Sequence, residues 1–129
     1  MRKLLLTLTA GMVFVILTSA FAFAANGYND IDAAGTKSLM ENADALVVFP
    51  LSPIEFDNQH IQGSVNIVME MLEYELPEDK ERVIVFYCLG IKCVASWRAA
   101  EKAVALGYKN VYAFREGIPG WAKAGYPLV

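Results

Sequence analysis

The chain alternates between short unbroken apolar runs and longer stretches in which apolar positions are spaced by Ala, Glu and Lys. Residues 45–49, 83–87 and 110–114 are β-branched and aromatic runs of the kind that form strands buried on both faces. Residues 65–67 give a shorter strand, and 28–31 a short extended piece. Between them the period turns helical. A helix is predicted from Ala33 to about Asn42, with Asp32 as its N-cap and Leu39 and Met40 turned inward. A second, over 52–56, has Pro53 at its first position. A third, over 94–106, is closed by Gly107, and a fourth, over 117–124, carries Trp121. Residues 68–74 form a helical turn, and 75–81 an acidic, exposed segment. Strands alternating with helices along the whole length predict one α/β domain, its mostly parallel central sheet covered on both faces.

The first 24 residues stand apart from this pattern. Arg2 and Lys3 make a basic start, residues 4–17 are apolar except for Thr and Gly, and small residues alternate up to Ala24. That order is the one of a secretory signal peptide cleaved after Ala24, or after Ala22 or Ala25. The alternative is an uncleaved anchor, since residues 4–25 are long enough to span a bilayer. Either way the domain, residues 25–129, is expected in the periplasm or otherwise outside the cytoplasm. It keeps nine basic and fourteen acidic residues, a formal charge of −5. An acidic balance without a basic run argues against nucleic acid or an anionic membrane surface as partner, and a membrane enters only if the signal stays uncleaved.

Candidate chemistry gathers in the loop between the run at 83–87 and the helix that follows. Cys88 is the first residue off the strand, followed by Leu89, Gly90, Ile91, Lys92 and Cys93, with Val94 and Ser96 at the helix start. A strand-to-helix loop directs backbone N–H groups into a cup, and the helix dipole adds partial positive charge there. A thiolate in such a cup is stabilised as an anion and serves as a nucleophile. Ligands of parallel α/β sheets bind at this end. Two cysteines in an exported chain also suggest a structural disulfide, although a bridge between positions 88 and 93 would close a small loop and restrain the unfolded chain little. Position favours a reactive cysteine. Two cysteines and one distant histidine do not have the spacing of a zinc site, so neither metal nor cofactor is expected.

Five segments in order then resemble one family: Glu55-Phe56; residues 60–67, His-Ile-Gln-Gly-Ser-Val-Asn-Ile; the run ending in Cys88; Ala99-Ala100 with residues 107–111; and residues 117–127, Gly-Ile-Pro-Gly-Trp-Ala-Lys-Ala-Gly-Tyr-Pro. The chain is similar to single-domain rhodaneses, the sulfurtransferases. The resemblance implies a rhodanese-like fold with Cys88 as the residue that accepts sulfane sulfur as a persulfide and passes it to a thiol. It implies a small sulfur-containing anion as donor and a thiol as acceptor. Segments 60–67 and 117–127 resemble structural signatures, with His60 satisfied inside a turn.

This chain departs from the family in its active loop. Where the family usually ends its second strand in an Asp-Val-Arg-like sequence, Phe49, Pro50 and Leu51 stand here. Five residues beyond the nucleophile, where the family usually has an Arg that holds thiosulfate, stands Cys93, and the interval to Gly107 is about two residues longer than usual. Lys92 offers only a mobile point charge in exchange. Ser96 is either a hydrogen-bond donor to the site or a helix cap; Arg98 is expected in solvent and Trp97 as a packing residue. Cys93 has three roles open to it: a resolving thiol that expels sulfide, a second sulfur carrier, or a small packing residue. The loss of the loop Arg also argues against a phosphatase.

Overall fold

The computed structural model describes residues 27–129; the expected signal segment lies outside the described residues. Strands β1 (Asn29–Asp30), β2 (Leu46–Phe49), β3 (Val65–Asn66), β4 (Val83–Tyr87) and β5 (Asn110–Phe114) form one sheet in the order β1-β5-β4-β2-β3. Every neighbouring pair is parallel. The central strand β4 places Phe86 beside Val48 and Ala113, and Tyr87 beside Phe114.

Alternation along these strands supplies two cores, since successive side chains point to opposite faces. Val48, Ile84, Phe86, Val111 and Ala113 pack on one face against Ala99, Ala100 and Ala103 of helix α4 (Ala95–Ala105) and against Leu72 of helix α3 (Leu72–Glu75). Val47, Phe49, Val85, Tyr87 and Phe114 pack on the other against Ala33 of helix α1 (Ala33–Asn42) and Ile118 and Trp121 of helix α5 (Gly117–Lys123). Partly buried Phe56, from helix α2 (Pro53–Asn58), joins the second face. The small buried stripe of α4 lets its axis lie close to the sheet. The expected α/β architecture, parallel and covered on both faces, is the one observed.

Local chemistry sets the helix starts. Asp32 Oδ1 accepts the Gly35 N–H at 2.7 Å, the predicted cap of α1. Ser52 and Glu55 form a reciprocal capping box at α2, which begins at Pro53. Helix α4 has no side-chain cap. Ser96 is its second residue rather than its cap, which corrects the capping alternative for that side chain. The segment 75–81 is also not wholly exposed. Leu76 is buried in the core of α3 and α4, and the Tyr108 hydroxyl donates to the Pro77 carbonyl, so the acidic stretch is pinned at its start. Among the described residues no helix is long and apolar enough to cross a membrane.

Candidate active site

Strand β4 ends at Tyr87 and Cys88 follows at the carboxyl end of the sheet, as its place in the sequence requires. The loop then turns through residues 89–94 into α4. Cys88 has no accessible surface. Its carbonyl accepts the Ile118 N–H at 3.2 Å, so the start of α5 braces Cys88. This approach requires a glycine at 117: a Cβ there would lie 2.1 Å from the Cys88 carbonyl oxygen, and φ is +58°.

Cys88 and Cys93 are joined in a disulfide across a Cα–Cα distance of 6.1 Å. The two sulfurs are therefore within bonding reach, and the protein described here is its oxidised form. Leu89, Gly90, Ile91, Lys92 and Cys93 line an open groove of about 350 Å³. These are five of the candidate site residues, consecutive in the loop. Val94 stands exposed at the rim. Ser96, in the first turn of α4, is fully buried, with no hydrogen-bond partner for its hydroxyl. One element of the expected N–H cup is otherwise engaged: Cys93 N–H donates to the Gly90 carbonyl at 3.0 Å. In this oxidised loop that amide closes a turn.

The cations near the loop divide into free and tethered. Lys92 is exposed. Arg98 is exposed too, as expected, with its guanidinium 5.5 Å from the centre of the half-buried Trp97 ring. Arg115, which the motif-based reading passed over, follows β5 at the same end of the sheet. Its Nε donates to Asp30 Oδ1 at 2.8 Å and its Nη2 to the Tyr28 hydroxyl at 3.0 Å. The bond to Asp30 holds this guanidinium's pKa above its ordinary value. Arg115, Asp30, Asp32, Glu116 and Ile91 line a second open groove of about 560 Å³. The signal for it was positional: a basic residue directly after a strand, at the end where ligands bind.

The remaining motif residues are structural. His60 Nδ1 donates to the Phe56 carbonyl at 2.7 Å, and its ring stacks on Phe56 with centroids 3.8 Å apart. At the altered end of β2, Asn66 Nδ2 donates to the carbonyls of Phe49 and Leu51, at 3.0 and 2.8 Å, and holds that turn with an amide. Among the described residues no group of three or more His, Cys, Asp or Glu side chains is placed to hold a metal.

The family model for the rhodanese-like domain matches residues 33–124. The chain belongs to the rhodanese family. Among relatives of this rhodanese, the uncharacterized protein YibN of Escherichia coli K12 is 28% identical over 123 residues, spanning 92% of this chain and 84% of its own. A protein of Allochromatium vinosum named as a sulfurtransferase is 29% identical over 103 residues, 78% of this chain and 94% of its own. The crystal structure of a rhodanese-related protein from Thermoplasma volcanium is 30% identical with a TM-score of 0.60, covering 79% of this chain and 98% of that one. The rhodanese-like fold expected from the five motifs is thus the fold of this chain.

Proposed function

We propose that this rhodanese is an exported sulfurtransferase that carries sulfane sulfur on Cys88. The supporting observation is the seat of Cys88, first off the central strand, under a strand-to-helix loop, with a second sulfur in bonding reach. In the dithiol form, the Cys88 thiolate attacks the outer sulfur of a donor such as thiosulfate, the S–S bond of the donor breaks, and sulfite leaves with its electron pair. Backbone N–H groups of the loop and of the start of α4 stabilise the resulting Cys88 persulfide anion. A thiol acceptor then takes the outer sulfur and returns Cys88 as the thiolate. Alternatively the Cys93 thiol attacks the inner sulfur, hydrogen sulfide leaves, and the Cys88–Cys93 disulfide forms.

Lys92 is the exposed cation of the groove, a point charge where the family's Arg would make a two-pronged clamp. Polysulfide and persulfide donors, which need no such clamp, fit the site better than thiosulfate. A second reading, favoured by the disulfide itself, is a dithiol or sulfur carrier of the same fold without turnover, with a soft metal as the other cargo such a dithiol would take. Export through residues 1–24 belongs to the same proposal, and a protein recovered without those residues from the extracytoplasmic fraction is its expected result.

The deciding measurement is the intact mass of the reduced protein before and after thiosulfate or polysulfide, with Cys88→Ser and Cys93→Ser beside it. Gain of one sulfur that requires Cys88 supports sulfur transfer, and greater persulfide accumulation in Cys93→Ser assigns Cys93 as the resolving thiol. Loss of two hydrogens alone, with no sulfur gained from either donor, would leave the carrier reading.

A further inference from the structure

The two sulfurs of the disulfide sit in unlike surroundings. Cys88 has no accessible surface, whereas Cys93 is partly exposed and lines the groove beside Lys92. Thiol–disulfide exchange proceeds by attack of a thiolate on one sulfur while the other departs with the electron pair. An incoming thiolate reaches Cys93 from solvent, but it meets protein on every path to Cys88. Lys92 places a positive charge at the accessible side.

The departing sulfur must carry negative charge into a buried position, which is unfavourable unless donors await it. Two are present. Helix α4 begins without a side-chain cap, so N–H groups of its first turn are not taken up by a capping side chain. In that same turn the Ser96 hydroxyl is sealed from water and has no acceptor while the disulfide is intact. Buried hydroxyls without partners are rare, and one in the first turn of the helix that the disulfide loop enters asks for an acceptor that appears only in another state.

We infer that the disulfide opens in one direction, with Cys93 as the sulfur attacked and Cys88 as the leaving thiolate, and that Ser96 is a positioning residue which donates to that thiolate. The co-reactant is a dithiol. Its first thiolate bonds to Cys93 Sγ as the Cys88–Cys93 bond breaks. Its second thiolate then attacks the partner's own sulfur in that mixed disulfide, and Cys93 leaves as a thiolate that takes a proton from water. Two electrons pass to the pair, and the co-reactant ends as a disulfide. The inference rests on the sulfurtransferase reading only for what creates the disulfide, since the exchange itself uses no sulfur donor.

The test starts from the oxidised protein without thiosulfate or polysulfide, so a failure of sulfur transfer cannot be confused with a failure here. Limiting glutathione, followed by a rapid acid quench and peptide mass mapping, is expected to place glutathione on Cys93 at least about tenfold over Cys88. Equal labelling, or label on Cys88, would overturn the direction. Ser96→Ala is expected to slow opening by dithiothreitol roughly tenfold, and Ser96→Thr, which keeps the hydroxyl, to recover most of that rate. In a Cys93→Ser background, Ser96→Ala should also move the pH midpoint of Cys88 alkylation upward by about one unit. Unchanged opening rate and midpoint in Ser96→Ala would remove Ser96 from the proposal. The glutathione mapping needs no variant and decides the direction even if Ser96→Ala fails to fold.

Discussion

The hydroxyls of Tyr87 and Ser64 meet at 2.7 Å, one residue before Cys88. Ser64 spends its hydrogen on the Ile61 carbonyl, at 2.7 Å, so the Tyr87 hydroxyl donates to Ser64 and accepts the Ile61 N–H at 3.1 Å. The turn at 60–64 is thereby tied to the last residue of β4. This is a physical reason for the His-Ile-Gln-Gly-Ser motif: it anchors the strand end that presents Cys88.

Tyr87→Phe keeps the ring and its packing but leaves the buried Ile61 N–H without an acceptor. The expected loss is about 1–3 kcal/mol of unfolding free energy at neutral pH. Urea denaturation with an unchanged slope checks it, and a loss below a few tenths of a kcal/mol would show the network to be unimportant.

The same residue predicts alkaline behaviour. Burial outweighs the hydrogen bonds with Ser64 and the Ile61 N–H and raises the Tyr87 phenol above its ordinary value of 10.0. The folded state therefore holds this proton at pH values where the unfolded chain has released it. Stability from this group is complete below the unfolded value and is lost as pH rises through the folded one. Between pH 9 and 12 the wild-type protein should lose stability more steeply than Tyr87→Phe, and parallel curves would contradict the assignment.

Gly117→Ala should be among the most damaging single-methyl changes. The added carbon collides with the Cys88 carbonyl, and the left-handed backbone adds strain. About 2–4 kcal/mol of stability is expected to go. Gly125→Ala is the control. It shares a positive φ of +80° but has nothing within 4 Å, so backbone strain alone, about 1 kcal/mol, should appear. Equal losses in the two variants would mean that contact with Cys88 is not what fixes residue 117.

Lys92→Ala tests the donor preference. An exposed point charge contributes less than about 1 kcal/mol, so thiosulfate kcat/KM should fall by no more than about fivefold. Polysulfide turnover should change less. A hundredfold loss with thiosulfate would show that Lys92 is buried and clamped when the donor binds.

Much of this molecule was legible in its apolar runs. β4 and β5 begin and end where the sequence placed them, because each is a dense β-branched and aromatic run, β4 set off by Arg82 before it and the Cys-Leu-Gly break after it, β5 by Lys109 and Arg115. The loop residues 88–93 could be placed for the same reason. Three features were not legible. Leu76 is one apolar residue in an acidic stretch, and it is buried only because it joins the core that contains Leu72, Tyr108 and the alanines of α4. Ser96 looks like a cap by residue type, yet α4 begins only one residue before it. Arg115 belongs to no motif, and its tie to Asp30 joins residues 85 positions apart. The Arg115 tie and the tertiary burial of Leu76 depend on contacts across the fold, and the Ser96 case on a helix start one residue off, where period and propensity carry no signal.

The bracing of Cys88 has a consequence for the making of the protein. Ile118 N–H holds the Cys88 carbonyl, His60 exchanges backbone hydrogen bonds with Val129, and Ile61 bridges to Leu128. The seat of Cys88 thus draws on residues well beyond it in the chain, with Ile118 at the cysteine itself and Leu128 and Val129 at the 60–61 turn. In a chain made amino end first, the Cys88 carbonyl has no Ile118 N–H to meet until residue 118 has followed it, so the seat of Cys88 closes after the strand that presents it.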